Sequence, residues 1–251
     1  MHMETKIPRL SAVLGALLRA DFTTQWRNRR SVILVLLVPV IILISWKNVV
    51  AKFGPTFVLG SCITVGLTAM GLMGYSNSVA RDRDKGIFQR LRVAPVPSWS
   101  IMVSRLIVQS FMILLVNAVV FIAGSTLDGI RLTGTGYVLS FLAALVGGSV
   151  YLGLGQAIVG RIENAETVYS TTRLVYFVFI LVGMFGEVGI LGKDLGELVK
   201  WSPYGTVKRI LAASMRPETW NIQASLALAV TLAYTLLFTS FGVRWFKWTS
   251  R

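Results

Sequence analysis

The chain has 251 residues, is 54% hydrophobic and only 14% charged, and its mean hydropathy is +0.67, whereas about a quarter of an average soluble domain is charged. Its net charge of +14 does not point to nucleic acid, because the Lys and Arg residues stand at the ends of apolar segments, where they hold loops on the cytoplasmic side of a membrane. The lone Cys62 excludes a disulfide within the chain, and the lone His2 excludes most histidine-based metal or acid–base chemistry.

Residues 8–30, "PRLSAVLGALLRADFTTQWRNRR", place Leu10, Val13, Leu14, Leu17, Leu18, Phe22 and Trp26 at helical spacing, with Arg9, Arg19, Arg27, Arg29 and Arg30 outside the stripe. The pattern predicts a helix in the membrane interface. A helix packed on protein has the same pattern, and both descriptions can hold together. The first apolar run follows with no small-residue cleavage site after it, so it reads as a retained span.

Six segments are long and apolar enough to cross a bilayer: roughly 31–47, 55–80, 98–124, 136–160, 167–191 and 221–243. Pro39 is expected to kink the first. Trp46, Trp201, Trp220, Trp245 and Trp248 fall where an aromatic belt would lie. The bias of basic residues near the first four spans puts both termini inside. The segment 193–216 runs against that bias, with Lys193, Lys200, Lys208, Arg209 and Arg216 on the outside. It is too polar to span and too apolar for a free loop. Gly186, Gly189, Gly192 and Gly196 are expected to break a helix and Pro203 to start another, which predicts a re-entrant or interfacial hairpin over 187–216.

Chemistry of catalytic type is absent. "EVGILGKDL" is the nearest approach to a phosphate-cradling loop, but Glu187 stands at its first glycine and Asp194 at its Ser/Thr position. Ion-coupled transport would need ionisable groups within the membrane, where each costs about 2.5–3.5 kcal/mol at a helix centre. The candidates are Glu163, Glu166 and Arg173 at one end of span five and Glu187 at the other. Loop placement of Glu163 and Glu166 weighs against such a carrier.

Between spans two and three lies "ARDRDKGIFQRLRVAPVP", with five basic and two acidic residues, one glycine and two prolines. Gly86 permits a sharp turn. Ile87, Phe88, Leu91 and Val93 give the next residues an apolar face, and Pro95 and Pro97 end it. A short, charged helix held across the inner face of the membrane is expected, with an aromatic residue suited to anchoring a soluble partner. A loop that merely fixes orientation would need only Lys and Arg.

"RDRDKGIFQRLRVAP" resembles the loop after the second span of type-2 ABC exporter permeases. Asp82, Arg83, Asp84, Gly86, Phe88, Leu91 and Pro95 match that pattern in order, with Asp in place of Glu at 82 and 84, Ile87 for Thr and Gln89 for Glu. "WSPYGTVKRIL" over 201–211 resembles the segment before the family's last span, with Ser-Pro in place of Asn-Pro. The resemblance implies an all-α membrane protein: a cytoplasmic interfacial helix over 1–30, then a six-helix permease domain over 31–251 with a coupling helix in 81–97. It implies a half-transporter in the cell's inner (plasma) membrane, pairing with a second copy or a related permease and docking a separate ABC ATP-binding subunit. The chain itself binds no cofactor, and ATP and Mg belong to the partner. The ATPase-docking residues implied are the seven just named.

For a cargo route, Tyr169, Thr172, Arg173, Tyr176, Phe177 and Ile180 form one mixed face on span five. Thr64, Thr68, Tyr75 and Ser76 are the polar candidates on span two, and Glu187 is the candidate outer gate. The same Ser, Thr and aromatic residues are also common at helix contacts in membranes. The expected cargo is amphipathic or hydrophobic: a drug, antibiotic or lipid-like molecule. A third possibility is a membrane anchor that recruits a soluble partner without transport.

Overall fold

The computed structural model describes residues 10–27, 29–93, 98–187, 189–190 and 192–245. Among them every regular element is helical, as hydrocarbon demands of a chain that must satisfy its backbone polar groups internally. Helix α1 (Leu10–Arg27) leads into α2 (Arg29–Ser45) and the short α3 (Lys47–Phe53). Span two is continuous over Pro55–Asp84, built of α4 (Pro55–Ala69), a π-helical segment (Met70–Tyr75) and α5 (Ser76–Asp84). Helix α6 (Ile87–Val93) follows the charged turn. Then come α7 (Ser98–Leu127), α8 (Gly134–Arg161), α9 (Ala165–Glu187), α10 (Lys193–Trp201), α11 (Pro203–Met215), a 3-10 turn (Pro217–Thr219) and α12 (Ile222–Trp245).

Five of these helices or helix runs are long and apolar enough to cross a membrane. A sixth span arises if α2 and α3 count as one broken element, whose two parts meet at 66°. This bend lies beyond the proline. Helix α2 continues through Pro39, whose ring lies against Gly66 of α4, and the chain turns at Trp46.

Span two is the centre of the bundle. Nearly every residue from Val58 to Leu72 is buried, with α2, α7, α8 and α11 packed around it. Its closest neighbour is α8, at the π segment. A Cβ built on Gly71 would lie 2.5 Å from the Tyr151 carbonyl carbon, and one on Gly155 would lie 2.5 Å from the Gly71 carbonyl oxygen. Only glycine allows the two backbones to touch in this way.

Helix α1 covers one end of α7. Val13 is buried and Leu17 packs on the core. Phe22 meets Phe111 edge-on, with ring centroids 5.3 Å apart. Leu10 and Trp26 remain exposed, so part of the apolar stripe is spent on protein and part is left for the surroundings.

The segment before the last span is a helical hairpin. Ser202 caps α11, its hydroxyl accepting from the Gly205 amide at 3.2 Å, and Pro203 occupies the first turn. Gly189 and Gly192 mark the break, with φ of 82° and 84°, whereas Gly186 and Gly196 lie within helices. Helix α11 is sunk among α4, α8 and α12, with Tyr204, Val207, Ile210 and Leu211 fully buried. Lys208 goes in with them, 4% exposed and with its ammonium 3.2 Å from the Phe57 ring centroid. One of the basic residues that opposed the charge bias is therefore no loop charge at all.

Candidate functional site

The charged stretch forms an elbow. Helix α5 ends at Asp84, Gly86 turns with φ of 65°, and α6 follows at Ile87. Three of the residues that match the family pattern point into the protein. Asp82 is 6% exposed and pairs with Arg105 of α7. Arg83, 1% exposed, donates to the carbonyl oxygens of Val159 at 2.8 Å and Glu163 at 2.9 Å, and also to that of Ile162. It thus caps the C-terminus of α8 with a cation, where orphan carbonyls and the helix dipole favour one.

Phe88 is 1% exposed, with the Arg105 guanidinium 4.8 Å from its ring centroid. It is turned inward, against the expectation of an outward anchor. The side chains offered outward are Asp84, Lys85, Gln89 and Arg90. Leu91 lies on α6. Pro95, Pro97, Trp248 and the terminal basic residues Lys6, Arg9, Lys247 and Arg251 lie outside the described residues.

Arg105 and Asp21 complete this lock, and neither was picked out from the sequence. Arg105 stands eight residues into an apolar segment, and an ionisable residue in that position signals a buried partner. Asp21 of α1 accepts from the Ser104 hydroxyl at 2.6 Å. Burial pushes its carboxyl above the usual aspartate range, opposed by the Ser104 hydrogen bond and by Arg105 and reinforced by Asp82. A raised carboxyl pKa means that its stabilising contribution is full below the ordinary value near 3.9 and is lost as pH rises through the raised value. Amide exchange of α1 between pH 4 and 7 should therefore show its contact with α7 loosening as pH rises. Asp21→Asn should flatten that dependence.

The residues considered for a cargo route separate into two groups. Thr64 and Thr68 are fully buried, and each bonds a carbonyl one turn back at 2.7 Å. Ser76 bonds the Gly71 carbonyl at 3.0 Å. Thr172 is buried against Asn77 at 3.1 Å, and Tyr176 and Ile180 are 9% exposed. These face other helices of the same chain. Tyr75 is buried and donates to Gln156 at 2.6 Å. On the other side of α9, Arg173, Leu174, Phe177, Val178, Leu181 and Phe185 are exposed, and Tyr169 stands at the edge of that face.

Glu163 lies in the link between α8 and α9, and Glu166 is exposed in the first turn of α9. Glu187 is the last residue of α9. Among the described residues no Asp or Glu occupies the middle of a span, and no cluster of three potential metal-binding His, Cys, Asp or Glu side chains occurs.

A bundle of this kind, polytopic and helical throughout its described residues, is a multi-pass membrane protein. The ABC-2 type transporter family matches residues 12–205, and the chain belongs to that family. It is similar to YvfS of Bacillus subtilis (strain 168), named as a transport permease, with 23% identity over 229 residues, 87% of this chain and 91% of the relative. The chain is accordingly an ABC permease subunit, a family whose members work with an ATP-binding subunit.

Proposed function

We propose that this chain is the membrane half of an ATP-driven exporter in the inner (plasma) membrane, with both termini on the cytoplasmic side. The observation that carries the reading is the elbow. Buried Asp82, Arg83 and Phe88 tie it to α7 and α8, and it is continuous with the central span, so force applied to its exposed side reaches the core of the bundle directly. The ATP-binding subunit, which holds ATP and Mg, docks on Asp84, Lys85, Gln89 and Arg90. Asp82, Arg83 and Phe88 transmit rather than touch.

A second copy covers the exposed side of α9, and cargo passes between the copies along Tyr169, Arg173 and Phe177, with Glu187 and the α10–α11 hairpin as the outer gate. A face that carries aromatic and aliphatic groups and one guanidinium suits an amphipathic or hydrophobic cargo. The ion-coupled alternative lacks a carboxylate at mid-span, where a coupling ion would be held.

The test is purification of the chain from its native membranes in mild detergent, with ATPase activity measured on the eluate. The wild type should bring an ATPase with it. Asp84→Lys combined with Arg90→Glu should lower that activity by about tenfold or more at equal permease yield, since mismatched charges across an interface cost several kcal/mol. A chain free of ATPase in several detergents, or a variant that keeps its ATPase, would remove the docking assignment.

A further inference from the structure

Between α7, α8 and α12, away from the exposed side of α9, the bundle holds a cleft of about 380 Å³, within the size range of small-molecule sites. Its walls are mainly apolar, with Leu106 of α7, Leu152 and Gly153 of α8 and Val243 of α12. Leu106 and Val243 are 46% and 68% exposed, so the cleft opens toward whatever surrounds the spans. In a membrane that is hydrocarbon.

Two polar groups of the cleft have no protein partner among the described residues, the Gln156 side-chain nitrogen and the Thr239 hydroxyl, and of these Thr239 is exposed whereas Gln156 is buried. Gln156 is 8% exposed and lines the cleft. Its Oε1 accepts from Tyr75 at 2.6 Å, but its Nε2 amide meets no acceptor among the described residues. Other polar groups of the wall are satisfied: Ser149 donates to the Val146 carbonyl at 2.6 Å and lies 3.0 Å from the Thr235 hydroxyl, and Thr235 bonds the Thr231 carbonyl. An amide N–H facing hydrocarbon without an acceptor is unfavourable, so an occupant that brings one is favoured.

The depth of Gln156 narrows the choice. It stands five residues before the end of α8 at Arg161, about 7.5 Å along the helix from the end that bears the elbow. Gly242 packs beside it, three residues from the end of α12. The acceptor therefore lies just inside the bilayer surface, and the apolar wall runs from there toward the midplane, past Leu152 to Ser149. We infer that the cleft is a lateral site for a resident membrane lipid, one acyl chain lying along Leu106 and Leu152 and its ester carbonyl accepting from the Gln156 amide. The assignment does not depend on the direction of transport or on the nature of the cargo.

The test uses the full chain reconstituted in phosphatidylethanolamine–phosphatidylglycerol vesicles that contain a trace of diacyl phospholipid with a diazirine midway along one chain. A parallel set contains the dialkyl ether analogue, which lacks the carbonyl. After photolysis, labelling of residues 149–156 and 235–243 should exceed that of the exposed side of α9, and the diacyl probe should be favoured over the ether by about fivefold, the worth of one hydrogen bond in a membrane. Leu106→Trp, at an exposed position where folding tolerates it, should fill the cleft and bring labelling down to the α9 level. Gln156→Leu should bring the ester preference to parity.

Equal labelling of cleft and α9 in the wild type, or unchanged labelling in Leu106→Trp, would mean ordinary boundary lipid and overturn the site. Equal capture of ester and ether probes by the wild type would overturn the carbonyl contact. In native membranes, ATP added before photolysis should leave the cleft label unchanged. An ATP-dependent loss of label would identify the occupant as cargo and overturn its residence.

Discussion

Arg83→Met is expected to leave the chain inserted in the membrane but to uncouple it. Arg83 holds the carbonyl oxygens of Val159, Ile162 and Glu163 from one buried guanidinium, and hydrogen bonds to a charged group contribute about 1.5–3 kcal/mol each. Methionine fills similar volume and leaves these acceptors at the end of α8 without their cation. The loss in stability should be about 3 kcal/mol, since buried acceptors left without a partner cost about 1–3 kcal/mol and part of the α8 end can turn to water.

The functional loss should be larger than the stability loss suggests. Span two would no longer carry α8 with it when the elbow is pushed, and ATP-dependent cargo movement should fall by about tenfold or more. Arg83→Lys should recover only part, because an ammonium lacks the fork that reaches several carbonyls at once. Thermal unfolding of the purified chain and transport into inverted vesicles measure the two quantities separately. A methionine variant that keeps both would show that the elbow is not mechanically joined to α8.

The second large effect is expected at Gly71. A Cβ there would lie 2.5 Å from the Tyr151 carbonyl carbon and Cβ and 2.7 Å from its carbonyl oxygen, and Tyr151 is itself fully buried. Backbone cannot move aside as a flexible side-chain tip can, so even Gly71→Ala forces span two and α8 apart. Overpacking of this kind costs about 1–3 kcal/mol, occasionally more, and Gly71→Val should not accumulate in membranes at all.

Gly74 is the control. It belongs to the same π segment, yet the nearest neighbour to a new Cβ is the Met70 Cγ at 3.8 Å, an ordinary van der Waals distance. Gly74→Ala should therefore accumulate like the wild type. Immunoblots of membrane fractions distinguish the two positions directly, and equal accumulation of Gly71→Val and Gly74→Ala would refute the backbone contact.

The spans themselves were legible because a bilayer imposes a length and a polarity on whatever crosses it. The helical hairpin before the last span was legible from Pro203 and the glycines for a similar reason. What could not be read was the direction in which each charge faces. Phe88 looked like an outward anchor because an aromatic residue in a charged loop has no neighbours in the linear chain. Its partner, Arg105, lies seventeen residues further on.

Lys208 looked like a loop residue because hydropathy averages over neighbours, and the averages around a buried lysine in a short helix and an exposed one are alike. The 66° break between α2 and α3 was not legible either. Proline removes one backbone donor and strains one turn, but the helix runs on past Pro39 to Ser45, with the ring against Gly66. Gln156 drew no attention at all, since a single amide in a long apolar helix is usually a helix contact.

The π segment in span two has a consequence for how the length of this chain can vary. A π turn accommodates one more residue than the α turn it replaces, so every side chain after Tyr75 is offset around the helix axis by about 100° relative to an uninterrupted α-helix. That offset is what directs Asp82 to α7 and Arg83 to α8. Removal of any one residue from Met70–Tyr75 would leave a span just as apolar and still long enough to cross, yet it would swing both charges off their partners. Single-residue deletions in this apolar stretch should be as damaging as loss of the charges themselves, and a homologue that lacks the extra residue would have to place its elbow charges one position along.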